Sequence, residues 1–318
     1  MEYFCPQAGN SDIVTAHPGF GDPTVTSSIE HRHIDANGIT FHIAVSGPVT
    51  APPILCIHGF PEGWMSWRHI MDLLPESRIY APDLRGYPGT TYAKSGYDVF
   101  TLTDDIRALI EALGIQGCLL VTHDWGGALG WLFSHRYGSL IRKLVVVNCT
   151  HPKTLVRAAF TFEDWQPFRI PWVPFFQIPW FPEWFMTTNL GRKLLKWSFT
   201  VRQGQKGTMD IALVDEIVMR FQRTADMHGP IQYYRAFVRT LLFPSRHKRL
   251  YALYETPISI PVTMVWGMKD GALPSAVAIK SFNDAGCEGD WRPLPGVGHF
   301  VDLEAWTKLA DEIKRLLN

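Results

Sequence analysis

One short segment constrains this chain more than any other: Leu119-Leu120-Val121-Thr122-His123-Asp124-Trp125-Gly126-Gly127. An apolar, strand-like run ends at His123-Asp124, and two glycines follow where a helix should begin. Strand, tight turn and helix in that order lift one side chain above a sheet, with glycines that let backbones approach closely. Here the side chain is a carboxylate. An aspartate with an ordinary pKa of about 3.9 is ionised at neutral pH and needs no base to act as a nucleophile. Its attack on an sp³ carbon leaves an ester on the enzyme, and hydrolysis of that ester does need a base.

The surrounding pattern predicts a mostly parallel, doubly wound sheet with helices on both faces. IEHRHID and ITFHIAVSG read as paired strands, and PPILCIHG, SRIYAPD, CLLVTHD, IRKLVVVNC and PVTMVWG as further strands. FTLTDDIRALIEALG places Ile106, Leu109, Ile110 and Leu113 at helical spacing and stops at Gly114. The alternation breaks after Thr150. Residues 151–245 hold a Pro- and aromatic-rich run, QPFRIPWVPFFQIPWFPEWFM, and the helical patterns DIALVDEIVMRF and GPIQYYRAFVRTLL. The expected organisation is an irregular arm over 1–27, a core over 28–150 and 246–318, and a helical cap over 151–245. A cap at the carboxyl ends of the strands would cover the crevice where such sheets bind ligands.

The rest of the chemistry is spread along the chain. Asp270 follows the strand PVTMVW within WGMKDG, and His299 lies in GVGHF, ahead of a helix expected over 302–316. In the order nucleophile, acid, histidine, His299 would deprotonate the hydrolytic water and Asp270 would orient the imidazole. CIHGFPE supplies another strand-to-turn segment. The N–H groups of Phe60 and Trp125 would form an oxyanion hole, each donor worth about 2.7–4 kcal/mol.

Together HGFPE, HDWGG, WGMKDGAL and GVGHF resemble the epoxide hydrolases of the α/β-hydrolase superfamily, over roughly residues 30–318. The resemblance implies an α/β-hydrolase fold. It also implies attack by Asp124 on an epoxide, a cap tyrosine acting on the epoxide oxygen, and release of a vicinal diol without metal or organic cofactor. Tyr234, directly before Arg235, matches that tyrosine. A second tyrosine is expected five residues before Gln177 of Phe175-Phe176-Gln177-Ile178-Pro179, and Trp172 stands there instead. Thr122 departs from the family's usual glycine. Trp172, Phe176 and Tyr233 are expected to line the substrate slot. Haloalkane dehalogenases with the same nucleophile hold the departing halide with indole N–H groups, so Trp125 and Trp172 leave that reading open. Fluoroacetate dehalogenases follow the nucleophile with an arginine, where this chain has Trp125. A non-catalytic ligand-binding homologue would be expected to lack the nucleophile, acid or base.

Blander roles stand beside these. Asp124 suits a turn, Asp270 could cap a helix (although Ser275 is the better candidate), and His299, Tyr234 and Trp172 could be packing residues. His31 and His33 form an HxH pair without an apparent third metal ligand. The five cysteines lack metal-site spacing, and Cys56, Cys118 and Cys149 fall in apolar runs. Thirty Lys and Arg balance thirty Asp and Glu, so overall charge favours neither nucleic acid nor an anionic membrane. MEYFCPQAGNSDIV lacks the pattern of a secretory signal, and a cytoplasmic location is expected. The expected partners are a small apolar epoxide or halogenated substrate, water, and a second copy in a homodimer.

Overall fold

The computed structural model describes residues 29–317; the arm expected over 1–27 and Cys5 lie outside the described residues. The strands are β1 (Glu30–Ala36), β2 (Ile39–Ser46), β3 (Pro53–Ile57), β4 (Arg78–Pro82), β5 (Cys118–His123), β6 (Ile141–Val147), β7 (Val262–Gly267) and β8 (Gly289–Leu294). They form one sheet in the order β1-β2-β4-β3-β5-β6-β7-β8. The pairings β1/β2 and β2/β4 are antiparallel, and the others are parallel. This is the expected α/β-hydrolase architecture.

Side chains on the central strands alternate between two cores. Cys118, Leu120, Leu144 and Val146 face one, and Leu119, Val121, Val145 and Val147 face the other. Apolar residues on both faces explain why these strands read as continuous apolar runs. Helix Val99–Leu113 begins on the Asp98 side chain, which accepts from the Phe100 and Thr101 amides, and ends at left-handed Gly114. The sequence pattern misses β8. Its segment GDWRPL is largely exposed, contains Pro293 and pairs only with β7, as suits an edge strand. The helix expected over 302–316 is broken at Ala305 (φ −135°, ψ 38°) into Val301–Glu304 and Trp306–Leu317. The short first turn leaves Glu304 facing the Gly298 and Gly204 amides.

Among the described residues, no strand lies between Val147 and Val262. That span folds into helices, including Pro152–Phe160, Asn189–Val201, Ile211–Met219, Thr224–Leu242 and Pro244–Leu253. The boundary expected at 245 falls inside the last of these. Its Leu250 packs with Val99, Phe100 and Leu132, so the helix is seated on the sheet layers. The histidines of the HxH pair pack around His42. His31 Nδ1 lies 3.0 Å from His42 Nε2, and His42 Nδ1 lies 2.8 Å from Asp83.

Three contacts fix the helical span over the sheet. Helix Thr224–Leu242 approaches the loop after β4 so closely that a Cβ on Gly229 would lie 2.3 Å from the Gly86 carbonyl oxygen. Arg220 makes a two-pronged ion pair with buried Asp83 at 2.8 and 2.6 Å. The Tyr233 hydroxyl donates to the Arg85 carbonyl at 3.0 Å. Within the span, buried Arg235 pairs with buried Glu183 and donates to the Phe176 and Ile178 carbonyls at 2.7 and 2.6 Å. Arg235 therefore ties the aromatic run to the helix that carries Tyr234.

Removing one partner of a buried pair leaves the other charge uncompensated. Arg235→Ala is expected to lower stability by about 3–5 kcal/mol in urea unfolding, and Arg235→Leu/Glu183→Leu to recover most of that loss. A single-variant loss below about 1 kcal/mol would show that the pair is not a structural anchor.

Candidate active site

Asp124 sits between β5 and helix Trp125–Tyr137 with φ 48° and ψ −118°. A branched or bulky residue is strained there, and the turn aims the carboxylate away from the sheet. The helix can follow because Gly126 presses on β3: a Cβ there would lie 2.2 Å from the Ile57 carbonyl oxygen. The hydroxyl of Thr122, the departure from the usual glycine, is satisfied by the Val145 carbonyl at 2.9 Å.

The expected partners converge on this carboxylate. The Phe60 N–H donates to Asp124 Oδ1 at 2.9 Å, and His299 Nε2 lies 3.5 Å from Oδ2. Among the described residues the Trp125 N–H, the other expected donor, makes no hydrogen bond to the carboxylate. On the far side of the imidazole, His299 Nδ1 lies 2.7 Å from Asp270 Oδ2. Asp270 does more than orient the histidine. Its Oδ1 accepts from the Ala272 and Leu273 amides at 2.7 and 2.9 Å. Ser275 is not the N-cap expected of it: Pro274 holds that position, and no side chain caps the helix.

Burial opposes charge on Asp124, but the hydrogen bond and charge of His299, with His123 and the Phe60 N–H, hold its pKa down at about 2. Burial also opposes charge on His299, yet Asp270 and Asp124 on either side raise its pKa to about 9. The resting site is therefore a carboxylate–imidazolium pair backed by a second carboxylate.

Several site residues escape the sequence reading. Asn148 ends β6 at φ 41° and donates to Asp270 Oδ2 at 2.7 Å, while its own Oδ1 accepts from the Gly267 amide at 2.7 Å. An Asn just past a strand, tolerant of positive φ, is the signal that could have found it. The His123 ring lies behind His299 and bonds its carbonyl oxygen through Nε2 at 3.0 Å. His123 Nδ1 meets Glu62 Oε1 at 2.7 Å and Asp302 Oδ1 at 3.6 Å, all fully buried. These three residues could offer metal ligands. However, 2.7 Å is the contact distance of an ion pair, and two ligands at about 2.1 Å from one ion stand farther apart. The cluster reads as a buried imidazolium between acids, with the His123 pKa raised by Asp302 and Glu62 against the effect of burial.

A cavity of about 290 Å³ opens over Asp124. Asp124, His299, Trp125, Trp172 and Tyr234 line its reactive end, and aliphatic and phenyl side chains line the rest. Burial and the Asp124 charge push the Tyr234 phenol well above its ordinary pKa, partly offset by the Trp125 and Trp172 indoles and the Arg202 cation. Tyr234 is thus protonated at neutral pH, with the Trp125 and Trp172 indoles beside it in the cavity lining. The Arg202 guanidinium covers the outer face of Trp172 at 4.0 Å, and the Arg202 carbonyl accepts from the His299 amide at 3.0 Å.

Two expected wall residues lie elsewhere. Tyr233 follows a different face of its helix from Tyr234 and spends its hydroxyl on Arg85 under the helix, outside the cavity lining. Phe176 is buried behind Tyr234 and Phe60, with ring centroids 5.0 and 5.4 Å away, and supports the wall instead of forming it.

Comparison with known proteins agrees with this geometry. The family model described as alpha/beta hydrolase fold matches residues 52–305. Epoxide hydrolase 3 of Mus musculus is 31% identical over 88% of this chain and 76% of its own. Epoxide hydrolase 4 of Homo sapiens is 32% identical over 81% and 69%. Among solved structures, Cfl2 from Burkholderia cenocepacia superposes with a TM-score of 0.81 at 26% identity, covering 93% of this chain and 98% of that one. Epoxide hydrolase VrEH1 from Vigna radiata does so with a TM-score of 0.74 at 26% identity, covering 91% and 97%. The chain is an α/β-hydrolase-fold hydrolase and belongs to the epoxide hydrolase family.

The ion pair has a pH signature. His299 has a folded pKa of about 9, above its ordinary 6.5. Its stabilising contribution is full below pH 6.5 and is lost as pH rises through about 9. Over that window wild type should lose on the order of 3 kcal/mol of stability relative to His299→Gln. Asp124, lowered to about 2 from 3.8, contributes above pH 3.8 and ceases to as pH falls through 2. Denaturant unfolding at pH 6 and pH 9.5 tests this; parallel pH profiles for the two proteins would contradict the imidazolium.

Proposed function

We propose that this protein opens an epoxide to a vicinal diol through an alkyl-enzyme ester on Asp124. The observation that carries the reading is the placement of a strained, ionised Asp124 beneath a protonated Tyr234 in an apolar cavity, with His299 3.5 Å from the carboxylate. The names of its relatives point the same way. The helical cap, expected over residues 151–245, excludes water from this end of the cavity.

In the first step Asp124 attacks an epoxide carbon and the C–O bond breaks. Tyr234 gives its proton to the departing oxygen, and the two indole N–H groups and Arg202 limit the cost of the phenolate left behind. Forming the ester removes the negative charge that held the His299 proton. The imidazolium, now paired only with Asp270, returns a proton to Tyr234 and becomes the neutral base required next. His299 then deprotonates water attacking the Asp124 carbonyl carbon. The oxyanion falls on the atom that the Phe60 N–H faces. The intermediate collapses, the diol oxygen takes its proton from His299, and the new Asp124 acid restores the resting ion pair by returning its own proton. Protons and charge balance over the cycle, with no cofactor needed.

A dehalogenase reading has one observation in its favour: Trp125 and Trp172 both line the cavity that holds Asp124. Halide leaves without needing a proton, so such a site has no use for a phenol there, and Tyr234 favours the epoxide.

The test is intact-protein mass spectrometry of His299→Gln incubated with aryl epoxides and, separately, with haloalkanes. The expected adduct carries the whole epoxide mass and is absent in Asp124→Asn/His299→Gln. Tyr234→Phe should slow its formation by about a hundredfold or more. An adduct only from haloalkanes, at alkyl mass without halogen, would overturn the epoxide reading. An adduct persisting without Asp124 would overturn the nucleophile.

A further inference from the structure

The helical span turns many of its large apolar side chains to solvent. Around the cavity mouth, Phe160, Phe162, Trp165, Phe168, Leu242 and Phe243 are exposed, from 53% for Phe243 to 75% for Phe160. They form a connected surface. The Phe162 and Trp165 rings lie 6.2 and 5.9 Å from Phe168, and Phe160 and Leu242 both line the cavity. Single exposed apolar side chains need no explanation, but a contiguous group of this size marks an interaction surface. Phe162 and Trp165 also adopt left-handed backbone, φ 56° and 57°, where bulky residues rarely sit. The fold accepts that conformation without gaining core packing for either ring.

The charge around this face decides what it meets. The chain is neutral as a whole, yet residues 152–253 carry 15 Lys and Arg against 7 Asp and Glu, and the remainder carries 15 against 23. The neutrality that argues against an anionic membrane hides a positive helical layer on a negative base. Arg239, Arg246, Lys248 and Arg249 are exposed on the two helices that meet at Leu242 and Phe243, and the Arg246 guanidinium lies 5.3 Å from the Phe243 ring centroid. The two acids in the aromatic loop are each paired, Glu163 with Lys280 and Asp164 with Arg169. Trp and Phe with a basic rim are suited to the headgroup level of a bilayer with anionic lipid. Two exposed residues of this group, Phe160 and Leu242, also line the cavity, which a soluble protein partner would not account for.

We propose that this face binds the surface of an anionic phospholipid bilayer, and that apolar substrate enters the cavity from the lipid. No helix among the described residues is long and apolar enough to cross a membrane, so the contact is with one leaflet. The substrate-entry half of the proposal rests on the epoxide hydrolase reading. The binding half does not, and is measured without turnover.

The full chain should co-sediment with phosphatidylcholine vesicles containing phosphatidylserine roughly tenfold more than with phosphatidylcholine alone, and high salt should remove the difference. Phe162→Ser/Trp165→Ser/Phe168→Ser, none of which lines the cavity, should lose vesicle binding about tenfold yet turn over a water-soluble epoxide like wild type. Arg246→Glu/Lys248→Glu/Arg249→Glu should lose the phosphatidylserine preference. That variant leaves the aromatic face intact, so it carries the test if the serine variant fails to fold. Wild type remaining in the supernatant with both vesicles would overturn the proposal. So would light scattering showing a dimer that the serine variant dissociates, since the face would then join two copies of this chain.

Discussion

The carboxylate of Asp124 stays ionised beside an apolar cavity because an imidazolium and a backbone N–H face it. Much of the surrounding structure holds those two partners still. Asp270 and Asn148 fix the His299 ring from one side. His123 fixes its carbonyl, Arg202 its amide, and Glu304 the Gly298 amide just before it. Each is a hydrogen bond made in a buried setting, where leaving the group unmade costs about 1–3 kcal/mol. The loop carrying His299 is thus over-determined, as a base that must lie within reach of one carbonyl requires.

The same pair times the chemistry. A histidine with a pKa of about 9 is a poor base in the resting enzyme. In the proposed reaction that is useful, because a protonated His299 would not activate water before the ester exists. Esterification of Asp124 would remove one of the two negative charges that hold its proton, so the base would appear when it is needed. On that reading one electrostatic interaction sets both the nucleophile and the base.

Legibility in the sequence followed what each residue must satisfy locally. Asp124, His299 and Asp270 sit at strand ends or in glycine-framed loops, where turn chemistry and chain order mark them. The central strands were readable because burial on both faces makes their apolar runs continuous. The edge strand Gly289–Leu294 lacks that pressure and carries no such pattern. Asn148, Glu304 and Arg202 act through contacts with residues distant in sequence, which no local pattern encodes. Helical spacing could place Tyr233 and Tyr234 on different faces, but only docking against Gly86 and Arg85 decides which face looks into the cavity. The aromatic run misled for a related reason. Pro and Trp density shows that a segment is apolar, and does not show whether its rings turn inward, as Phe176 does, or outward, as Trp180 does.

Trp172, in the place where a second tyrosine was expected, is best understood with its neighbours. An indole cannot protonate an alkoxide, but it can donate to the oxygen of a group that can. In the proposed reaction Tyr234 is the acid; Trp125 and Trp172 line the cavity beside it and lower its pKa, and Arg202 lies over the Trp172 ring. A phenol buried against Asp124 would otherwise be too weak an acid, because both burial and that charge oppose the phenolate. Two neutral donors and one screened cation offset that opposition without placing a full charge in the cavity, where it would compete with the epoxide for Asp124. On the proposed mechanism the substitution keeps proton delivery on one hydroxyl and moves the second donor's work to the acid itself.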